Sequence, residues 1–265
     1  APFRDLAQGL AARGVATLRY DKYTLAHRDL LAADPARAAS FTMQEEYVDD
    51  ALAAFRALAE DARFSGTFLL GHSQGASAAP RVASELPEGS VRGIILLAGT
   101  PLSIADLMYR QNMDALAAMN LPAEQDAQVR AQLDAERAKQ AAVGGMTEAE
   151  LKSTYLYGAL SGWYLKDEAE HAPAPLLKNM DVPLLVVQGG KDWQVKPDEG
   201  MDLWREALAE NNAQFLTFPD MTHFLFDLEG PSAGSAADYL QPRPVSEALM
   251  DALAEWVLSL QVTVR

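Results

Sequence analysis

The sequence predicts an α/β fold: a mostly parallel sheet flanked by helices, interrupted by a long helical insertion. Three observations predict it. Short apolar runs alternate with amphipathic helical patterns through residues 1–100 and again through 180–265, the rhythm of strands covered on both faces by helices. Gly71-His72-Ser73-Gln74-Gly75 lies between the apolar run at 67–70 and a small-residue helical pattern at 76–86, so a G-x-S-x-G motif falls at a strand-to-helix turn. Between 101 and 179 strand signals vanish, and Ala-, Gln- and Glu-rich helical patterns take their place.

Residues 2–13 form a helix in this reading, with Phe3, Leu6, Ala7, Leu10 and Ala11 on one face and Gly14 as its C-terminal glycine. Val15-Ala16-Thr17-Leu18-Arg19-Tyr20 reads as a strand, and 21–39 as a polar, irregular loop. Thr42-Met43-Gln44-Glu45 is a capping box. The helix it opens places Tyr47, Val48, Ala51, Leu52, Phe55 and Leu58 on one face. The strand at 67–70 then enters the glycine-flanked turn, where side chains at Gly71 and Gly75 are expected to collide and the Ser73 hydroxyl is presented at a helix start. Ile94-Ile95-Leu96-Leu97, within a strand at 91–98, is a continuous apolar run suited to a parallel strand buried on both faces.

The insertion contains helices at 104–119 and 123–143, a break at Gly144-Gly145, and a second capping box, Thr147-Glu148-Ala149-Glu150. Ser161-Gly162-Trp163-Tyr164 and Pro173-Ala174-Pro175 lead back out. The domain reading is therefore a body of 1–100 and 180–265 with a helical insertion at 101–179. The body resumes with a strand at 183–187 ending in Gln188-Gly189-Gly190-Lys191-Asp192, a helix at 198–210, and a strand at 214–218 ending in Pro219-Asp220-Met221-Thr222-His223. A Gly/Ser/Pro-rich loop at 230–244 precedes a last helix, 246–260, striped by Leu249, Leu253, Trp256, Val257 and Leu260. There is no internal repeat.

A chain of 265 residues with 49% hydrophobic content supports one large α/β domain, or one with an insertion. The absence of cysteine excludes a disulfide framework, a thiolate nucleophile and a Cys-type zinc site. A net charge of −15 argues against nucleic acid and anionic membrane surfaces as partners. No apolar run approaches the roughly 18 residues of a membrane span. Ala1-Pro2-Phe3 is no signal peptide and the chain does not begin with Met, so it reads as a mature or trimmed product. No His/Asp/Glu cluster has metal-binding spacing, and no metal or cofactor is expected. Composition leaves the compartment open between cytoplasm and export, and is compatible with a homo-oligomer.

In a parallel sheet, sites form at the carboxyl ends of strands. Ser73, Asp192 and His223 each follow a different predicted strand, in the order Ser, Asp, His. A serine hydroxyl needs a base, an imidazole titrates in the right range to be one, and a carboxylate fixes the imidazole tautomer. Alternatives stay open. Asp198 could take the place of Asp192, His223 could be an ordinary loop histidine, and the glycine motif could be a plain turn. Of the other histidines, His72 lies inside the motif, His27 in the polar loop and His171 in the insertion. Asp220 reads as a turn residue.

These stretches resemble bacterial α/β-hydrolase esterases of the serine aminopeptidase-like or acyl-peptidase-like kind. The matching segments are Pro2-Phe3-Arg4-Asp5-Leu6-Ala7, Leu18-Arg19-Tyr20-Asp21-Lys22, Gly71-His72-Ser73-Gln74-Gly75, Leu96-Leu97-Ala98-Gly99, Gln188-Gly189-Gly190-Lys191-Asp192 and Thr222-His223. The resemblance implies an α/β-hydrolase fold, a serine hydrolase of the carboxylesterase class, and Ser73, Asp192 and His223 as its triad. Within it, the insertion at 101–179 matches a helical cap. The backbone N–H of Gln74 would be one oxyanion donor. Family members carry, ahead of the Pro2-Phe3 lead-in, further strands and a His-Gly loop that supplies the second donor. That donor is not in this sequence, and the strands are expected from residues outside it or from another chain. One of them would lie between the strands at 15–20 and 67–71.

The resulting expectation is hydrolysis of small or aromatic acyl esters through an acyl-enzyme. His72, Met108, Tyr109, Trp163 and Tyr164 are the candidate substrate contacts, each equally explained by packing. A serine peptidase, a non-catalytic binding protein on a hydrolase scaffold, and an interaction module built on 101–179 are the competing readings.

Overall fold

The computed structural model describes residues 2–261, which fall into two compact units. The first unit takes the chain up to Asp21, Val48–Pro101, and Pro173 onward; the second takes Lys22–Tyr47 and Leu102–Ala172. Six strands are present among the described residues: β1 (Thr67–His72), β2 (Val91–Leu97), β3 (Tyr155–Leu156), β4 (Leu160–Ser161), β5 (Leu184–Gly189) and β6 (Ala213–Phe218).

The first unit is built on a parallel sheet in the order β1-β2-β5-β6. Every residue of β5 is buried, as are residues 93–97 of β2, because both strands have neighbours on each side and helices on each face. Alternate side chains divide between two cores. Ile95, Leu97, Leu185 and Val187 pack with Leu6 and Leu10 of the Pro2–Ala12 helix and with Leu249, Leu253, Trp256 and Val257 of the Glu247–Gln261 helix. Ile94, Leu96, Leu184 and Val186 pack on the other face with Ala76, Ala79, Leu177, Trp204 and Leu208. A smaller cluster joins Val48, Leu52 and Phe55 to Val82 and Leu86. The register pairs His72 with Leu97, Leu97 with Val187, and Gly189 with Phe218, so the loops after β1, β5 and β6 leave the same edge of the sheet.

The stretch 15–20 is not a strand. The Pro2–Ala12 helix closes with Gly14 at φ +84° and the paired bonds Gly14 N–H to Ala11 O (3.1 Å) and Val15 N–H to Leu10 O (3.0 Å). Beyond that the segment has strand-like residues and no ladder to join. Among the described residues β1 is bonded to β2 on one side and to no strand on the other. β-propensity without a pairing neighbour does not make a strand, and Leu18 and Tyr20 are left exposed.

The stretch 21–39, expected as an irregular loop, holds three short helices, Tyr23–Ala26, Arg28–Ala33 and Pro35–Ala39. Each is too short to print a periodic pattern. The last carries local signals: Asp34 Oδ1 accepts from Arg37 N–H at 3.0 Å, and Pro35 opens the first turn. At the first capping box Glu45 accepts from Thr42 N–H (2.9 Å), while Thr42 Oγ1 accepts from Gln44 N–H (3.2 Å). The helix there begins as a π-turn, Gln44–Val48, before Asp49–Ala59.

The second unit contains the helices Ile104–Ala118, Ala123–Ala142, Glu148–Ser153 and Gly162–Glu170 around buried Ala105, Val143, Leu151, Leu156 and Leu165. The capping box at Thr147 is present in both directions. The sequence gives no strand signal here, yet β3 and β4 form an antiparallel hairpin that reverses through Tyr157 and Gly158, both at positive φ. Two-residue strands are too short for an alternating pattern to show.

Candidate active site

β1 runs into the Gln74–Ser84 helix with Ser73 as the only hinge. Ser73 adopts φ 57°, ψ −125°, a conformation that costs a non-glycine residue on the order of 1–3 kcal/mol. Ser73 N–H donates to Leu97 O (2.9 Å) and Ala76 N–H donates to Ser73 O (2.9 Å), so backbone bonds on both sides hold it there. Gly71 is required, since a Cβ would stand 2.0 Å from Gly75 O. Gly75 is not required on that ground: a Cβ at Gly75 meets nothing within 4 Å. The second close approach is at Gly99, whose Cβ would lie 2.3 Å from Ala76 Cβ and 2.9 Å from Ser73 O. Gly99 lies two residues past the end of β2, and that position is the available signal for it.

Asp192 leaves the end of β5 and His223 the turn after β6. Asp192 is buried, and each carboxylate oxygen accepts two hydrogen bonds. Oδ1 accepts from the Gln194 and Val195 N–H groups, both at 2.9 Å. Oδ2 accepts from Gln188 Nε2 at 3.0 Å and from His223 Nδ1 at 2.9 Å. A carboxylate can only accept, so Nδ1 of His223 carries the proton and Nε2 presents a lone pair. Nε2 lies 3.0 Å from Ser73 Oγ, which donates to it. The geometry thus brings Ser73, His223 and Asp192 into one hydrogen-bonded line. Asp198 is exposed.

Several supports of this line lie inside the matching segments, but the sequence assigns them no role. Buried Gln188 holds Asp192 and also donates to Val195 O at 2.9 Å. A Cβ at Gly189 would lie 2.2 Å from Met221 O, and one at Gly190 2.4 Å from Pro219 O, so both glycines admit the His223 loop against β5. Lys191 Nζ reaches Asp220 Oδ1 (2.6 Å) and Leu228 O, which gives the turn residue Asp220 an ion-pair role in that loop. Thr222 N–H closes the loop on Phe226 O at 3.0 Å. Tyr239, from the 230–244 loop, stacks on Trp193 (5.7 Å) and accepts from Gln194 Nε2 (3.1 Å). Burial pushes its phenol up to about 12.

The remaining predicted residues have these places. Gln74 is the first residue of the helix after Ser73, where N–H groups point out of the helix end. His72 lies against His223: its Nε2–H donates to His223 O at 2.8 Å. Tyr164 is buried in the second unit, and its hydroxyl donates to Glu46 Oε2 at 3.1 Å. Trp163 lies under Lys152 Nζ, 4.8 Å from the ring centroid. The Tyr109 hydroxyl donates to Asp134 (2.8 Å), and Tyr109 lines a cavity of about 390 Å³ with Leu102, Asp106, Arg110 and Arg137. Met108 is partly buried on the same helix. His27 packs on Tyr23, and His171 bonds to Asp167 O, both within the second unit. Among the described residues no group of three or more His, Asp or Glu could hold a metal ion, and no helix is long and apolar enough to cross a membrane.

A sequence profile of the serine aminopeptidase S33 family matches residues 2–229. The chain belongs to that family. This serine aminopeptidase S33 family member is 26% identical over 257 residues to the esterase EstD of Thermotoga maritima, covering 97% of its own length and 56% of EstD. The chain therefore spans little more than half of that curated relative. Est1E from Butyrivibrio proteoclasticus, solved with ferulic acid bound, superposes with a TM-score of 0.55 at 14% identity, over 99% of this chain and 84% of that one. The esterase domain of a Rhodothermus marinus protein gives 0.53 at 15% identity, over 97% and 79%. These likenesses show the α/β-hydrolase fold, and with the family they bear out the fold class and resemblance expected from the sequence.

Proposed function

We propose that this family member is a serine carboxylester hydrolase working through an acyl-enzyme, with Ser73 as nucleophile, His223 as base and acid, and Asp192 as the carboxylate that orients His223. The observation that carries the reading is the continuous line Asp192–His223–Ser73 at 2.9 and 3.0 Å, ending on a serine held in a strained turn. The Ser73 Oγ bonds to the ester carbonyl carbon while its proton passes to His223 Nε2. The tetrahedral intermediate then breaks its bond to the alcohol oxygen, which takes that proton. Water repeats the sequence: its oxygen bonds to the acyl carbon, its proton goes to His223, and cleavage of the Ser73 Oγ–carbon bond returns the proton to Ser73. The Gln74 N–H is assigned to the developing oxyanion, a role in which one donor contributes about 10²–10³ in rate.

Small or aromatic acyl esters are the proposed substrates. Support comes from the name of EstD and from the ferulic acid held by Est1E. Ser73→Ala tests the mechanism: turnover of a p-nitrophenyl ester should vanish and a fluorophosphonate should no longer label the chain. Unchanged hydrolysis by Ser73→Ala would sink the assignment. The family's description as a serine aminopeptidase favours a second reading, cleavage of short peptides by the same residues. Release of an aminoacyl arylamide faster than of the matching ester would establish it.

A further inference from the structure

We propose that His72 is a positioning residue, which suspends the backbone of His223 from the strand that carries the nucleophile. The inference rests on the reading of Ser73, His223 and Asp192 as the hydrolytic site. Ser73 and His72 are consecutive, so the base is tied to the nucleophile's segment twice. Its side chain meets Ser73 Oγ at 3.0 Å, and its carbonyl accepts from His72 Nε2–H at 2.8 Å. Within the His223 loop Thr222 N–H bonds to Phe226 O (3.0 Å) and Leu225 N–H to Thr222 O (3.0 Å), with Leu225 at φ +68°. Lys191 N–H to Met221 O (3.0 Å), Lys191 Nζ to Asp220 Oδ1 (2.6 Å) and Ser246 N–H to Leu225 O (2.7 Å) tie it to the loop after β5 and to the segment ahead of the last helix. The bond from His72 gives this hairpin-like turn a fixed distance to β1.

The two imidazoles are also in ring contact, with centroids 4.9 Å apart, and Phe3 meets His72 in an edge-to-face contact at 5.4 Å. A protonated His72 so placed would oppose the imidazolium that His223 becomes during reaction. Burial, and then the neighbouring His223, lower His72 to about 4, with only Asp192 and the bond to the His223 carbonyl acting the other way. At neutral pH His72 is therefore an uncharged donor. It holds the base in place without competing with it for charge.

The test pairs two variants with one measurement on the unchanged protein. His72→Leu removes the donor and should lower kcat about 10- to 100-fold with KM held within about threefold, because a small displacement of the base acts on the chemical step. His72→Gln places an amide N–H near the original Nε2 and should recover most of that loss. Full kcat in His72→Leu, or equal impairment of both variants, overturns the proposal. Should His72→Leu fail to fold, histidine ¹⁵N spectra of the parent decide. His72 is expected as the Nε2–H tautomer, unchanged between about pH 5 and 8. An Nδ1–H tautomer, or a titration near the ordinary histidine value, overturns it. A parent that hydrolyses no ester or amide would refute the reading of the site, while the tautomer would still report on the His72 anchor.

Discussion

Replacing Asp192 with Asn changes almost no volume and inverts the hydrogen-bonding logic of the site. The carboxylate accepts four N–H donors, two at each oxygen. An asparagine keeps one oxygen and brings two donors of its own. The oxygen will stay where the Gln194 and Val195 N–H groups converge at 2.9 Å, because those backbone donors cannot turn away. The new amide then faces Gln188 Nε2 and His223 Nδ1, both donors in the parent. Gln188 is held by its bond to Val195 O, so the histidine yields. His223 adopts the opposite tautomer, with Nδ1 accepting from Asn and Nε2–H aimed at Ser73 Oγ. A protonated Nε2 cannot take the serine proton. A loss of about 10⁴ in kcat is expected, as a wrong tautomer costs in other serine hydrolases. That corresponds to about 5 kcal/mol of transition-state stabilisation. The assay is steady-state hydrolysis of a p-nitrophenyl ester, with KM expected within a few-fold and the folded state checked by circular dichroism. Retention of more than about a tenth of parental kcat by a folded Asp192→Asn protein would refute the tautomer argument.

Gly99→Ala brings a methyl to within 2.3 Å of Ala76 Cβ and 2.9 Å of Ser73 O, so both kcat and Tm should fall, whereas Gly75→Ala should leave Tm near the parent value. Equal Tm values for the two variants would contradict the close approach. Leu185→Ala, at a fully buried position of β5, should destabilise by about 2–5 kcal/mol in urea unfolding. Glu168 is buried with Oε1 accepting from Ile104 N–H at 2.9 Å, and desolvation raises its carboxyl from 4.5 to about 7. A raised acid stabilises the fold below its unfolded pKa and loses that contribution as pH rises through the folded one. Stability should accordingly fall between about pH 4.5 and 7 by up to about 3 kcal/mol, and Glu168→Gln should flatten that slope; an unchanged slope counts against it.

The sequence displayed the residues proposed to react more clearly than those that hold them. Ser73 sits in a motif because its conformation demands glycine at 71, and Asp192 and His223 show because strand ends are marked by the apolar runs before them. Gln188 and Lys191 carry no such mark. Gln188 acts locally, on Asp192 and Val195 of the loop it leads into, through a turn no periodic pattern records. The partner of Lys191, Asp220, is instead brought to it by the register of β5 on β6. Gly75 and Gly99 make the same point from opposite sides. Gly75 completes the motif without a steric need, while the need beyond Gly71 lies at Gly99, a residue that the fold brings onto Ala76.

The stretch 15–20 shows where local reading ends. Its residues favour a strand, and the Pro2–Ala12 helix delivers them in an orderly way through Gly14. A strand, though, is a relation between two segments. With β2 on one side of β1 and no partner for 15–20 among the described residues, the same side chains are left as an exposed extended segment. The site does not depend on that edge for its alignment. Ser73 is fixed by Leu97, His223 by Asp192 and His72, and Asp192 by Gln188, Gln194 and Val195, and all of these lie on β1, β2, β5 or the loops that leave β5 and β6. With Ala76 N–H also on Ser73 O (2.9 Å), the alignment of Ser73, His223 and Asp192 therefore rests on β1, β2, β5, the loops that leave β5 and β6, and the start of the Gln74–Ser84 helix.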